Sequence, residues 1–150
     1  MFCINCFHGK TETYNSRPSK KNASVWRRRR CKECGYSFTT TETVDITEVY
    51  QIIRSGGSKS AAMPFSRATL TLSLLEVLTY AGADQEDAFW LEQTIEQKLI
   101  KLYRPKDPVA TADIAAATLA SLQSYNQLAA LAYASRHGLT MPKPGRPRKS

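Results

Sequence analysis

After Cys34 the sequence has no further cysteine, and only two histidines occur in its 150 residues. A disulfide framework running through the whole chain is therefore excluded, and residues 35–150 must be held by apolar packing. Both histidines, His8 and His137, are isolated, and no His/Asp/Glu grouping with catalytic spacing or nucleophile–base pair is visible. An enzyme is the least favoured class on these grounds. No apolar run approaches the roughly 20 residues that span a membrane. No basic-then-apolar leader precedes Cys3, so the expected location is a reducing cytoplasm. Acidic residues are also short in supply, 13 against 21 Lys and Arg, for a formal net charge of +8.

What is present is a globular composition: 42% of the residues are hydrophobic, too many for a disordered chain. A length of 150 residues allows one ordinary domain or two small ones. The charge is unevenly spread. Residues 1–34 carry a net +7, residues 35–135 a net −4, and residues 136–150 a net +5. Two basic ends that suit a polyanion therefore flank a mildly acidic middle.

All four cysteines fall into two C-x-x-C pairs, Cys3-Ile-Asn-Cys6 and Cys31-Lys-Glu-Cys34. Two such pairs offer four thiolates, the number that a structural zinc ion (Zn2+) takes in a closed tetrahedral site. The stretch between the pairs is somewhat longer than the roughly fifteen to twenty residues usual for such sites, but of the same kind. The alternative, two disulfides of a secreted mini-domain, is disfavoured by the missing leader and the symmetric spacing. His8, two residues after Cys6, is a spare ligand that four thiols make unnecessary.

Around the pairs, residues 1–44 predict a three-stranded zinc ribbon. Strands are expected at Thr11–Tyr14, Ala23–Arg30 and Tyr36–Val44, with a turn-rich stretch from Asn15 to Asn22 and a tight turn at Gly35. So short a unit buries too little apolar surface to fold unaided, so metal binding is expected to supply its folding free energy. Residues 45–65 predict a hairpin: a strand over Ile46–Arg54, a turn at Ser55–Ser58, and a return from Ala61 to Phe65.

The period then becomes helical. Ser66 caps a helix with Leu70, Leu74, Val77 and Leu78 on one face. Asp84 opens a second, striped by Ala88, Leu91, Ile95, Leu99 and Leu102, which stops before Pro105. Thr111 caps a third, carrying Ile114, Leu119 and Leu122, and a fourth runs from about Tyr125 to Arg136 and ends at Gly138. Three prolines, a glycine and four cations in residues 139–150 predict that the chain ends, over 138–150, in a disordered basic tail.

Four consecutive arginines, Arg27, Arg28, Arg29 and Arg30, stand just before the second pair. In a strand Arg27 and Arg29 share one face, and Arg28 and Arg30 the other. Either face can grip a phosphate backbone, and an arginine on a ribbon in a major groove can pair with guanine. The tail, Lys143-Pro-Gly-Arg146-Pro-Arg148-Lys149, resembles an AT-hook, whose Gly-Arg-Pro lies in a narrow A·T minor groove.

Read together, the N-terminal residues resemble the bacterial NrdR family, repressors of ribonucleotide reductase genes. That family has C-P-x-C, a D-S-R triplet, V-R-R-R-R before C-x-x-C, and R-F-T-T-x-E. Here stand Cys3-Ile-Asn-Cys6, Asn15-Ser16-Arg17, Val25-Trp-Arg-Arg-Arg-Arg30, Cys31-Lys-Glu-Cys34 and Ser37-Phe38-Thr39-Thr40-Thr41-Glu42. The resemblance implies an ATP-cone after the ribbon, a small nucleotide-binding domain of a hairpin and helices, with the family's V-x-K-R-x-G and F-x-x-x-K falling near Arg54 and Phe65. It also implies ATP or dATP as effectors, a homo-oligomer switched by them, and promoter boxes as the bound DNA. Ile53 and Thr69 stand where the family has lysines, so Arg54 and Arg67, with the helix N-terminus near Ser66, are the candidates left for phosphate.

The expected fold is thus α+β: a four-cysteine zinc ribbon over 1–44, an ATP-cone-like regulatory and oligomerisation domain over 45–137, and a basic tail over 138–150. The expected function is a zinc-dependent DNA-binding repressor. Cys3, Cys6, Cys31 and Cys34 hold zinc. Arg17, Arg27 to Arg30, Lys143, Arg146 and Arg148 meet double-stranded DNA. The rivals are a nucleotide-binding module that docks on an enzyme and a zinc-ribbon RNA binder.

Overall fold

Threonine- and arginine-rich stretches over residues 11–18, 24–31 and 37–43 form one antiparallel sheet in a computed structural model. It describes residues 1–19, 23–54, 62–105 and 107–141. The chain divides into two compact units, Met1–Asp45 and Ile46–Ser150. In the first, β1 (Thr11–Pro18), β2 (Ser24–Cys31) and β3 (Ser37–Thr43) lie in the order β1-β2-β3. The four arginines are therefore on the central strand. β-Branched Thr39, Thr40, Thr41 and Thr43 favour extended backbone in β3.

The first strand runs further than expected. Asn15 to Pro18, read from sequence as turn-rich, continues β1 past an irregularity between Thr13 and Asn15. Tyr14 is the extra residue of a β-bulge, with Thr13 opposite Arg29 and Asn15 opposite Arg28.

The second unit begins with a turn instead of the expected strand from Ile46. The N–H of Tyr50 donates to the Ile46 carbonyl at 3.1 Å, and both side chains are buried. Only Gln51–Ile53 (β4) is extended, paired antiparallel with Met63–Pro64 (β5). The expected turn at Ser55–Ser58 and the start of the return at Ala61 lie outside the described residues. Helices follow at Arg67–Tyr80 (α1) and Asp87–Leu102 (α2). A short strand, β6 (Val109–Ala110), pairs parallel with β4. The chain ends in α3 (Thr111–Tyr125) and α4 (Gln127–His137).

The core of this unit is the expected helical stripes: Leu70, Leu74, Val77 and Leu78 of α1 meet Leu91, Ile95 and Leu99 of α2 and Leu119 and Leu122 of α3. Leu102 leaves the stripe, because it is the last residue of α2 and points to solvent. The caps differ in part. Ser66 accepts from the Thr69 N–H at 3.2 Å as expected. Asp84 instead accepts from the Glu86 N–H at 2.9 Å in the approach to α2. Thr111 is the first residue of α3, so the N-cap position expected there falls on Ala110, whose methyl group cannot cap. Asn126 caps α4 through the N–H groups of Leu128 and Ala129, and Gly138 ends it in the left-handed region at φ 62°. Leu139 and Met141 pack against the core, so the start of the expected tail belongs to the folded unit. Among the described residues no helix is long and apolar enough to cross a membrane.

Candidate zinc centre and nucleic-acid face

Each cysteine pair sits on a turn of one design. In the first, the Phe7 N–H donates to the Cys3 carbonyl and the Cys3 N–H to the His8 carbonyl, both at 2.9 Å. In the second, the Gly35 N–H donates to the Cys31 carbonyl at 3.2 Å and the Cys31 N–H to the Tyr36 carbonyl at 2.9 Å. The third residue of each turn, Asn5 or Glu33, donates its N–H to the leading sulfur at 3.4 Å. Such bonds orient a sulfur toward the point where a metal would sit.

The turns also share a left-handed fifth residue, φ 71° at Gly35 and φ 56° at Phe7. Glycine takes that conformation freely, whereas a side chain pays for it. The Phe7 ring is exposed and returns little by burial. Phe7→Gly is expected to stabilise the zinc-loaded ribbon by about 1 kcal/mol. A chelator titration followed by circular dichroism reads this as a higher chelator concentration at the midpoint, and a lower midpoint refutes it.

These turns bring the four sulfurs within 4.8 Å of one another. Cys3 Sγ lies 3.7 Å from Cys34 Sγ, and Cys6 Sγ lies 3.6 Å from Cys31 Sγ. Tetrahedral zinc with bonds of about 2.3 Å needs sulfurs roughly 3.8 Å apart. Ionisation points the same way. The Tyr36 backbone and the Asn5 amide, 3.6 Å away, hold the Cys34 thiol down to about 6. The His8 backbone pulls Cys6 down, but desolvation and three sulfur neighbours push it up to about 12. Four thiolates this close do not coexist without a cation, and a divalent ion supplies the missing charge. The donor set fits zinc, and His8 adds only its backbone.

Strand alternation divides the four arginines between two faces. On one, three cross-strand rows read Arg17, Trp26, Thr41; Asn15, Arg28, Thr39; and Glu12, Arg30, Ser37. On the other, the rows read Pro18, Val25, Glu42; Ser16, Arg27, Thr40; and Thr13, Arg29, Phe38. The second face includes buried Phe38. Arg27 and Arg29 are bound there: both pair with Glu42, at 3.0 and 3.1 Å, and Arg29 Nε also donates to Thr40 Oγ1 at 3.2 Å. Arg17, Arg28 and Arg30 are exposed, and among the described residues no carboxylate pairs with them. The part played by Glu42 escaped the sequence reading, although the Thr-Thr-Thr-Glu run was in view. Lys143, Arg146 and Arg148 lie outside the described residues.

The corner expected to take a nucleotide is differently furnished. Arg54 is exposed just after β4. Arg67, the first residue of α1, forms an ion pair with Glu96 through Nε and a second nitrogen, the latter at 3.0 Å, and its Nε lies 3.6 Å from Glu92 Oε1. Both glutamates are buried. Burial, and then the neighbouring Glu96, push the Glu92 carboxyl up to about 7, and its Oε1 has no hydrogen-bond partner. At the helix N-terminus, the Ser66 hydroxyl already takes the Thr69 N–H. Ile53 and Thr69 add no cation. The described residues of this corner therefore do not make a triphosphate site by themselves.

Comparison with known proteins agrees with the ribbon. A family model described as the N-terminal domain of NrdR-like transcriptional repressors matches residues 1–42. Transcriptional repressor NrdR of Leifsonia xyli is 30% identical over 135 residues, covering 90% of this chain and 80% of the relative. That of Caulobacter vibrioides is 31% identical over 135 residues, covering 90% and 82%. Transcriptional repressor NrdR 3 of Paramagnetospirillum magneticum is 35% identical over 99 residues, but the match spans only 62% of that relative.

Proposed function

From the premise that the chain belongs to the NrdR family of zinc-dependent transcriptional repressors, we propose that it acts by holding promoter DNA on its ribbon. The observation that carries this reading is a cluster of exposed guanidinium groups on a sheet anchored by four cysteines. A metal clamp removes the ordering cost that a loose arginine run pays on binding phosphate. The targets are promoter boxes upstream of ribonucleotide reductase genes. Lys143, Arg146 and Arg148 add contacts whose strength falls with salt. The site of action is a cytoplasm, where thiols stay reduced. No catalytic step belongs to this role, and repressors are not an enzyme class.

A single small ribbon has limited grip, and two linked ribbons bind far more tightly than one. Self-association is assigned to the helical unit, which exposes Leu72 and Tyr80 on α1 and Leu131 on α4. Control by ATP or dATP has less support, since Arg54 is the one member of the expected pair not engaged by Glu92 and Glu96. The nucleotide, where it acts, depends on Arg54.

The test is fluorescence anisotropy of a labelled promoter duplex with zinc-loaded protein, at several salt concentrations and with unlabelled competitors. Binding with a steep salt dependence, resisted by single-stranded RNA competitor, is the expected result. Preferential displacement by RNA overturns the reading.

A further inference from the structure

We infer that the ribbon meets DNA through one face only, that of Arg17, Arg28 and Arg30, with Asn15 reading a base, and that Arg27 and Arg29 hold the sheet instead. This rests on the DNA-binding reading above and says which residues perform it.

Pairing register sorts the cations. Arg28 and Arg30 project on the same face of β2, about 7 Å apart along the strand. Arg17 reaches that face because of the bulge at Tyr14. Unbulged pairing would send Asn15 and Arg17 to the opposite side, together with Thr13. The bulge thus collects three arginines where alternation alone would leave two, and sets Asn15 between Arg17 and Arg28.

Charge availability makes the same division. A guanidinium that grips phosphate must give up any carboxylate it already holds, and Arg27 and Arg29 both hold Glu42. Their face also includes buried Phe38 and is shut to a duplex at that point. On the other face the only carboxylate in the register is Glu12, and Lys32 pairs with it at 3.5 Å. Asn15 is neutral and presents one acceptor and two donors. That pattern matches the N6 and N7 edge of adenine in the major groove. Placed beside two phosphate-binding arginines, it is positioned to read sequence while they supply grip.

The experiment measures duplex affinity against salt for four variants of the full zinc-loaded chain, with zinc content checked for each. Arg28→Gln with Arg30→Gln is expected to lower the salt slope by about 2, and to weaken binding more than tenfold at low salt. Arg27→Gln with Arg29→Gln is expected to leave the slope unchanged. Glu42→Gln frees both arginines without removing a cation, so it guards against misfolding of that double variant, and it too should leave the slope unchanged. A lower slope in the Arg27/Arg29 variant with zinc retained, or a steeper slope in Glu42→Gln, overturns the assignment of faces. An unchanged slope in all three defeats the DNA-binding reading itself. Asn15→Ala should keep the slope but narrow, about tenfold, the preference for the promoter duplex over one with its A·T pairs changed to G·C. An undiminished preference removes Asn15 from base reading.

Discussion

Stripping zinc is expected to unfold the three-stranded ribbon and to abolish the proposed duplex binding, while the helical unit stays folded. The ribbon has just three buried apolar residues among those described, Cys3, Cys31 and Phe38, and two of them are ligands. Against this, the second unit buries nineteen hydrophobic residues in one cluster. Structural zinc contributes about 10–16 kcal/mol of apparent binding free energy in small zinc modules, far more than so small a core supplies. Hydrogen exchange with and without chelator reads both units at once. Amides of β1 to β3 should lose protection, and those of α1 to α4 should keep it. Cys31→Ser should behave like the chelated protein. Persistent protection of β2 in chelator would show that the sheet stands without its metal.

Removing the Arg67 side chain should cost the helical unit about 3–5 kcal/mol, because two buried carboxylates then share one site without a cation. Urea denaturation of Arg67→Ala measures this, and a loss under about 1 kcal/mol would show that the pair is slack. The same cluster gives a pH dependence. Glu92 ionises near 7 in the folded chain, against 4.5 for its ordinary value. Between those values the folded chain holds the extra proton, so its stability falls as the pH rises through that window. Glu92→Gln abolishes this slope. The variant should be more stable than the parent at about pH 8 and level with it at about pH 4. Parallel stability curves across that range would contradict the ionisation behaviour of Glu92.

Much of the architecture was legible in the residues. The two C-x-x-C pairs implied a shared metal because each spacing closes a turn around its sulfurs. The leucine stripe of α1 implied a buried face because four residues recur at helical period. The misses have physical causes too. The first half of the strand expected over Ile46–Arg54 is a turn, since apolar Ile46 and Tyr50 reach one core equally well across a single helical turn. β6 went unseen because two residues, Val109 and Ala110, carry no period. Asn15 to Pro18 looked like a turn from composition, and a bulge kept them in the sheet.

By itself the sequence determined the ligand set, the three-part charge pattern and the helical stripes, all properties of residue type and local spacing. Only the tertiary structure decided which arginines lack a carboxylate partner among the described residues, that Arg67 serves Glu92 and Glu96, and that Asn15 lies opposite Arg28 in the sheet. Each of those depends on partners eleven or more residues away, brought near by pairing and packing that local spacing does not encode.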